Sequence, residues 1–132
     1  MAEGIVDHFQ NLGVPIFGPT KAAAQIESSK VFSKGLMQKY CIPCASSRAF
    51  SNYQEAVVYV KQQTPPVWIK ADGLAAGKGA IFGESIPDAL EIIKSLMESK
   101  SLGAAGESVV IEECLQGREM STFVFSDGHT IA

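Results

Sequence analysis

The chain has 132 residues, of which 46% are hydrophobic and 19% are charged, a balance that favours one folded domain. Its net charge of −3 and its scattered lysines argue against binding to nucleic acid or to an anionic membrane surface. No apolar run approaches the length of a membrane span, and the acidic, polar start "MAEGIVDHFQ" does not resemble a signal peptide, so a cytoplasmic protein is expected.

The first half of the chain predicts helices joined by short extended segments. Residues 2–12 predict a helix, and "VPIFGP" after it predicts a short strand. A helix in "KAAAQIESSK", capped by Thr20, and another over residues 29–40 are expected next. "IPCASSRAF" is expected to be extended. The helix predicted in "SNYQEAVVYVKQQ" has Ser51 and Gln54 at capping-box spacing.

The second half predicts a strand, a loop and a strand in "VWIKADGLAAGKGAIFGE", residues 67–84. "SIPDALEIIKSLMESK" is the clearest helix, because Ser85 and Asp88 stand at its start and apolar residues follow at helical spacing. "SVVIEECL" and "MSTFVFSDGHTIA" read as strands, and Asp127-Gly128 is typical of a two-residue hairpin turn. This order of helices and strands predicts an α+β or α/β fold.

Cys41 and Cys44 form a C-x-x-C motif, "CIPC", which is found in some redox and zinc sites. There is no second such motif, and His8 and His129 lie far apart in the sequence. The pattern therefore favours reduced, mostly buried thiols, and no residue is assigned as a metal ligand.

The loop "GLAAGKG" does not match the two common nucleotide-binding patterns. The spacing from Gly73 to Gly77 is one residue too short for a Walker A motif, and Gly79 follows Lys78 where a hydroxyl residue is required. A strand rather than a helix is predicted after the loop, which also excludes a Rossmann fingerprint.

A hairpin with a mobile, glycine-rich tip remains. Its backbone N–H groups could approach the oxygens of a polyphosphate closely, and Lys78 would add a positive charge. Lys70 lies in an otherwise apolar strand, where an unpaired charge is costly, so it needs either a protein carboxylate or a ligand phosphate. The alternative interpretation is a flexible surface hairpin with a solvated lysine.

The segment "VVIEECLQGRE" runs from a strand into two adjacent acids, Glu112 and Glu113. On an extended chain these carboxylates face opposite sides, so one can meet a lysine or ligand while the other meets solvent or a second partner. A functional interpretation is a hinge whose backbone contacts an adenine edge, with Glu119 on the ribose. The alternative is a strand end with solvated acids.

Three segments, "GPTKAAAQIESSK", "IKADGLAAGKG" and "VVIEECLQGRE", together resemble the phosphoribosylamine–glycine ligase family of ATP-grasp enzymes. The resemblance covers nearly the whole chain. It implies a reaction of purine biosynthesis in which ATP and Mg²⁺ activate glycine as an acyl phosphate, which the amine of 5-phosphoribosylamine then attacks. It also implies an antiparallel sheet with flanking helices, and in eukaryotes a place within a larger multifunctional purine enzyme.

The resemblance assigns nucleotide contacts but no catalytic residue. By position in the family motifs, two lysines contact the ATP phosphates, seven loop residues form a lid, four residues form the adenine hinge, and one acid contacts the ribose. In that order these are Lys30 and Lys70; Gly73, Leu74, Ala75, Ala76, Gly77, Lys78 and Gly79; Glu112, Glu113, Cys114 and Leu115; and Glu119. The chain departs from the family pattern at Trp68, Cys114 and Arg118.

The resemblance also implies that the chain is an internal part of a ligase. Residues 1–18 match the end of an N-terminal α/β domain, residues 19–50 a linker with helices, and residues 51–132 the first ATP-grasp subdomain. The magnesium-binding acids and most of the glycine site are expected outside the chain. Two alternatives are another ATP-grasp ligase or carboxylase, and a non-catalytic interaction fragment.

Overall fold

The computed structural model describes all residues, 1–132, as a four-stranded sheet with helices packed against it. The helices are α1 (Ile5–Asn11), α2 (Gln25–Ser28), α3 (Lys30–Lys39), α4 (Tyr53–Val60) and α5 (Ile86–Ile93). The strands are β1 (Ser47–Phe50), β2 (Val67–Ala71), β3 (Ala80–Gly83) and β4 (Val109–Glu113). A π-helical turn (Lys94–Glu98) extends α5, and a 3₁₀ turn (Gly103–Gly106) precedes β4. No helix is both long and apolar enough to cross a lipid bilayer.

The sheet is antiparallel throughout, with the strand order β1-β4-β2-β3, so the predicted α+β class is confirmed. The central pair β2 and β4 is in a register that sets Ile69 opposite Ile111 and Trp68 opposite Glu112. Because side chains alternate along a strand, this register places Trp68, Lys70 and Glu112 on one face of the sheet.

The hydrophobic core lies on the other face of the sheet, beneath α4, α5 and the π-helical turn. In β2, Val67, Ile69 and Ala71 are buried there, while Trp68 and Lys70 point away from it. The core consists of eleven buried residues: Phe50, Ala56, Val60, Val67, Ile69, Ala71, Ala89, Ile93, Leu96, Val109 and Ile111. Strand β4 is buried on both faces because α3 covers its second side.

Helix starts follow the expected capping chemistry with one correction. Ser85 and Asp88 form the capping box of α5, as their spacing predicts. Helix α4 is capped by Asn52, whose side chain accepts a hydrogen bond from the N–H of Glu55, and not by the predicted Ser51. Asparagine and serine are similarly good caps, so sequence spacing alone could not choose between neighbouring residues.

The helix predicted in "KAAAQIESSK" is shorter than expected. The hydroxyl of Thr20 accepts a hydrogen bond from the N–H of Ala23, but only turns precede α2, which covers just Gln25–Ser28. Ser29 leaves the helical conformation with φ −132° and caps α3, where its hydroxyl accepts from the N–H of Phe32. The serine therefore marks the boundary between the two helices that the sequence predicts here.

Two predicted strands are absent. "VPIFGP" has no strand pairing, and in "MSTFVFSDGHTIA" only one isolated bridge, between Ser126 and Ile131, is present. A strand of a sheet needs a neighbouring strand for its backbone hydrogen bonds, and neither segment pairs with any of the four strands. Around the predicted hairpin turn, the N–H of Thr130 and then that of His129 donate to Asp127 and hold the pKa of its carboxyl below the ordinary value.

The two cysteines of the "CIPC" motif are exposed, so their predicted burial is wrong. They lie in the loop between α3 and β1, and Cys41 has φ 54° just after the end of α3. A residue in the left-handed conformation commonly ends a helix. The loop that follows α3 lies on the surface, which explains why both thiols are exposed.

Gly106 is the position where a small substitution is expected to disturb the fold. A Cβ atom there would collide with the backbone carbonyl of Leu96, which cannot move without shifting the π-helical turn. Gly106→Ala should lower the free energy of unfolding by about 1–3 kcal/mol, measured by urea denaturation. Gly35→Ala, in α3 with nothing within 4 Å, is the control and should be neutral or stabilising. Equal behaviour of the two variants would contradict the close packing.

Candidate functional site

Three lysines and a glutamate converge on the sheet face opposite the core. They surround a cavity of about 250 Å³ between α3 and the central strands. We call this group, made up of Lys30, Lys34, Lys70 and Glu112, the lysine cluster. Ile26, Glu27 and Ser33 complete the lining. Several like charges in one concave site indicate binding of an anion.

Lys70 has the anionic partner that its place in an apolar strand predicts. Its Nζ donates to Oε2 of Glu112 at 2.7 Å. The two residues are diagonal neighbours on β2 and β4, because Glu112 stands opposite Trp68. The Lys70 side chain remains 27% exposed and lines the cavity, so the ion pair leaves it reachable. An ammonium group has three donors, and Glu112 accepts one.

Glu112 also pairs with a second lysine that the sequence did not single out. Nζ of Lys34 lies 3.3 Å from its Oε1 and donates to the carbonyl of Ala45, also at 3.3 Å. The glutamate is only 4% exposed, and a carboxylate buried to this degree requires such partners. Lys30, by contrast, forms no ion pair within the chain and lies on the boundary between this cavity and the next.

Asp72 fixes helix α3 to the end of β2. Its Oδ1 accepts hydrogen bonds from the N–H of Val31 at 2.8 Å and from the hydroxyl of Ser29 at 3.0 Å. Sequence reasoning missed this contact, although Lys70 and Asp72 are two residues apart and so share one strand face. The spacing of Lys30 and Lys34 likewise places them on one face of a helix.

The glycine loop, residues 73–79, borders a second cavity of about 290 Å³. Glu27 and Lys30 belong to both cavities, so the loop and the lysine cluster are contiguous. The second cavity is lined by Glu27, Lys30, Gly73, Leu74, Ala75, Ala76, Gly77, Gly79 and Ala80. The exposed Lys78 is not part of its lining.

The glycines of this loop have different structural roles. A Cβ at Gly73 would come within 2.9 Å of Ala105, and one at Gly79 within 2.9 Å of Ala75, so both permit close packing of the loop. Gly77 has φ 79° and open space around it, and with Ala76 it forms the turn at the tip. Gly77 is therefore the loop glycine whose backbone a ligand could approach without displacing protein atoms.

The two adjacent acids at the end of β4 face opposite sides, as predicted. Glu112 points to the lysine cluster, whereas the carboxylate of Glu113 accepts from the backbone N–H of Ser46 at 2.7 Å. No backbone hydrogen bond engages Cys114 or Leu115, so their N–H and C=O groups are available for a ligand. Glu119 is exposed, has no hydrogen bond to the chain, and is not brought into the lysine cluster.

An aromatic pair lies on the same sheet face as the cluster. Trp68 and Phe82 stand opposite each other on β2 and β3, with ring centroids 5.2 Å apart in an edge-to-face arrangement. Trp68 is also the cross-strand partner of Glu112 and the only tryptophan of the chain. Its fluorescence therefore reports on the surroundings of the lysine cluster.

A further cavity of about 390 Å³ lies by β1 and α4, at one edge of the sheet. Its only cation is Arg48, whose guanidinium lies 5.3 Å and 5.6 Å from the ring centroids of Phe50 and Tyr59. The charge of Glu55 in the same lining offsets that of Arg48. The lysine cluster, with an excess of positive charge and the glycine loop beside it, is the better candidate for an anion site.

Comparison with known proteins identifies the family of the chain. Residues 28–132 match the family described as phosphoribosylglycinamide synthetase, ATP-grasp (A) domain. The chain is 48% identical over 130 residues to a bifunctional purine biosynthetic protein of Schizosaccharomyces pombe, covering 98% of this chain and 16% of that protein. It is 46% identical over 131 residues to the phosphoribosylamine–glycine ligase of Caldanaerobacter subterraneus, covering 99% and 31%. The chain thus spans less than a third of the length of these relatives.

Solved structures agree in fold. The phosphoribosylamine–glycine ligase of Thermotoga maritima superimposes with a TM-score of 0.82 at 36% identity, covering 87% of this chain and 29% of that one. D-alanyl-alanine synthetase A of Vibrio cholerae superimposes with a TM-score of 0.76 at 16% identity, covering 99% and 39%, which shows a shared fold only. With the family match extending over most of its length, the chain belongs to the phosphoribosylglycinamide synthetase ATP-grasp (A) domain family.

Proposed function

We propose that this chain is the nucleotide-binding part of an ATP-dependent ligase that joins glycine to 5-phosphoribosylamine in purine biosynthesis. The products are glycinamide ribonucleotide, ADP and phosphate, and glycyl phosphate is the intermediate. The observation that carries the proposal is the lysine cluster lying directly beside the glycine loop. Family membership and the names of the relatives supply the substrates.

The triphosphate of ATP is proposed to bind at the positive charges of the lysine cluster. Lys30 and Lys70 are the proposed phosphate contacts, because Lys30 has no partner in the chain and Lys70 keeps donors free. Residues 73–79 are proposed to cover the phosphates, with Gly77 offering the most open backbone. Such a site acts by holding the γ-phosphate in place and neutralising its charge.

The adenine is proposed to bind at residues 112–115, where the backbone groups of Cys114 and Leu115 are unengaged. Glu119 is the proposed ribose contact, and this assignment requires the segment after β4 to approach the nucleotide. Trp68 is the cross-strand partner of Glu112, so we expect its fluorescence to respond to a base bound at residues 112–115.

Magnesium is part of the proposed reaction, but the residues of the lysine cluster do not fit it as ligands. Both carboxylate oxygens of Glu112 are already paired with lysines, so they do not offer the free oxygen ligands that Mg²⁺ prefers. The ligands are proposed to lie in the part of the ligase outside this chain. A biotin carboxylase domain of the same fold has been solved with the magnesium salt of ADP.

The domain arrangement is also a proposal. Residues 1–18 are assigned to the end of an N-terminal α/β domain, residues 19–50 to connecting helices, and residues 51–132 to the first ATP-grasp subdomain. A cytoplasmic location belongs to the same proposal. The bifunctional relative supports a place within a multifunctional purine enzyme.

The direct test is nucleotide binding by the chain itself. Titration with ATP is expected to change the fluorescence of Trp68 with a dissociation constant near 1 mM, about 4 kcal/mol of binding free energy. Adenosine, which lacks the phosphates, should bind far more weakly because it cannot engage the lysine cluster. Equal responses to ATP and adenosine, or none to either, would contradict the proposal.

The chain alone is expected to release no phosphate when given ATP, Mg²⁺, glycine and 5-phosphoribosylamine. The reason is that the proposed magnesium ligands and most of the glycine site lie outside it. A coupled assay for inorganic phosphate measures this, and a full-length family member serves as the positive control. Turnover by the chain alone would show that the assignment of these groups elsewhere is wrong.

A further inference from the structure

We propose that Lys34 is an electrostatic positioning residue that neutralises Glu112 and so leaves the charges of Lys30 and Lys70 available to a polyphosphate. This inference rests on the proposed function only in taking the polyphosphate to be that of ATP. Without Lys34, the buried carboxylate would act on Lys70 alone and cancel its charge. The role is indirect, since Lys34 would act through Glu112 and not by touching the ligand.

The contacts of the three lysines distinguish their roles. Lys34 is held by two acceptors of the protein, the Glu112 carboxylate and the Ala45 carbonyl, each at 3.3 Å. It is 16% exposed, whereas Lys70 is 27% exposed and has one protein acceptor. Two of the three donors of Lys34 are therefore engaged by the protein, whereas Lys70 retains two donors for a ligand.

The charge balance of the cavity shows why Lys34 is needed. Three lysines and two glutamates, Glu27 and Glu112, line it, which gives a net charge of +1. Removing the charge of Lys34 would bring that sum to zero. Because Glu112 is only 4% exposed, water does little to screen its negative charge from an anion bound at Lys70.

The test compares the wild-type chain with Lys34→Met and Lys34→Gln, using inorganic tripolyphosphate as the probe and ATP in parallel, by calorimetry. Both variants should raise the dissociation constant for tripolyphosphate about tenfold. Glutamine retains an N–H donor but no charge, so an equal loss in both variants assigns the effect to charge. Lys34→Arg should keep wild-type affinity. Lys39→Met, which removes an exposed lysine from the same helix, should change it less than about twofold.

A double-mutant cycle separates the indirect role from direct contact. In a Glu112→Gln background no buried carboxylate is left to hold Lys70 away from the anion, so adding Lys34→Met should cost clearly less than the tenfold that it costs alone; what remains is the loss of its own positive charge. A full tenfold loss in that background would mean that Lys34 touches the anion, and the inference would be overturned. If Glu112→Gln does not fold, Lys34→Arg and Lys34→Gln still test the charge effect. A loss of tripolyphosphate affinity in Lys34→Arg equal to that in Lys34→Gln would contradict it.

The two probes separate this inference from the proposed function. Tripolyphosphate binding that depends on Lys34, without ATP binding, would support the inference and contradict the nucleotide site. ATP binding by the wild-type chain that is unchanged in Lys34→Met would support the nucleotide site and contradict the role inferred for Lys34. Failure of the wild-type chain to bind tripolyphosphate overturns the inference, as does a drop in melting temperature with unchanged affinity.

Discussion

Replacing Lys70 with methionine is expected to raise the dissociation constant for ATP by about 30- to 100-fold, which corresponds to roughly 2–3 kcal/mol. The variant loses a charge-assisted contact to phosphate on a strand that the sheet holds rigidly in place. Glu112 keeps Lys34 as its partner, so no buried carboxylate is left unpaired and the fold should persist. Calorimetric titration with ATP measures the affinity, with binding by the variant too weak to detect as the expected result, and thermal denaturation of the same sample measures the stability.

The control for Lys70→Met is Lys78→Met, which removes the same charge from the exposed part of the glycine loop. It should weaken ATP binding by a few-fold at most, because a solvent-screened charge contributes little. If Lys70→Met lowers the melting temperature while ATP affinity holds, Lys70 is a partner of Glu112 in the fold and not a phosphate ligand. The proposed function would then lose its main contact.

Replacing Ile69 with alanine is expected to cause the largest loss of stability, about 2–5 kcal/mol. Ile69 is completely buried in β2, between its cross-strand neighbours Ile81 and Ile111 and beneath helix α5. A cavity there cannot close easily, because both flanking strands are fixed by backbone hydrogen bonds. Denaturation by urea, monitored by far-ultraviolet circular dichroism, measures the change.

Ile131→Ala is the matched control, because this isoleucine is 73% exposed and the substitution removes little buried apolar surface. Its effect should stay within about 0.5 kcal/mol. A comparable loss in both variants would mean that the core does not lie beneath the sheet as described. A small loss in Ile69→Ala alone would mean that the central strands tolerate rearrangement.

The elements that the sequence predicted well are those whose side-chain pattern is strong. Helix α5 has both a capping box and apolar residues at helical spacing, and β2 alternates between buried and half-buried residues. Strand β4 was predicted from its apolar run, and the opposite orientation of Glu112 and Glu113 followed from the geometry of any strand. Local periodicity was sufficient for these features.

The features that were missed depend on contacts between distant parts of the chain. Asp72 reaches the start of α3 across more than forty residues, and Lys34 meets a strand near the end of the chain. The strand predicted in "MSTFVFSDGHTIA" has suitable residues but pairs only with itself, at the bridge between Ser126 and Ile131, and not with the sheet. Sequence patterns give the orientation of side chains along an element, whereas pairing between elements is settled by the tertiary structure.

The central strands carry the isoleucines of the core and the charged residues of the lysine cluster on alternate positions. Inserting or deleting a single residue in β2 would thus exchange the two sets, turning a lysine inward and an isoleucine outward. The register of the two strands therefore determines both the packing of the core and the position of the anion-binding residues. In mutational scans of this domain, we expect length changes within β2 or β4 to be rejected even where most single substitutions are accepted.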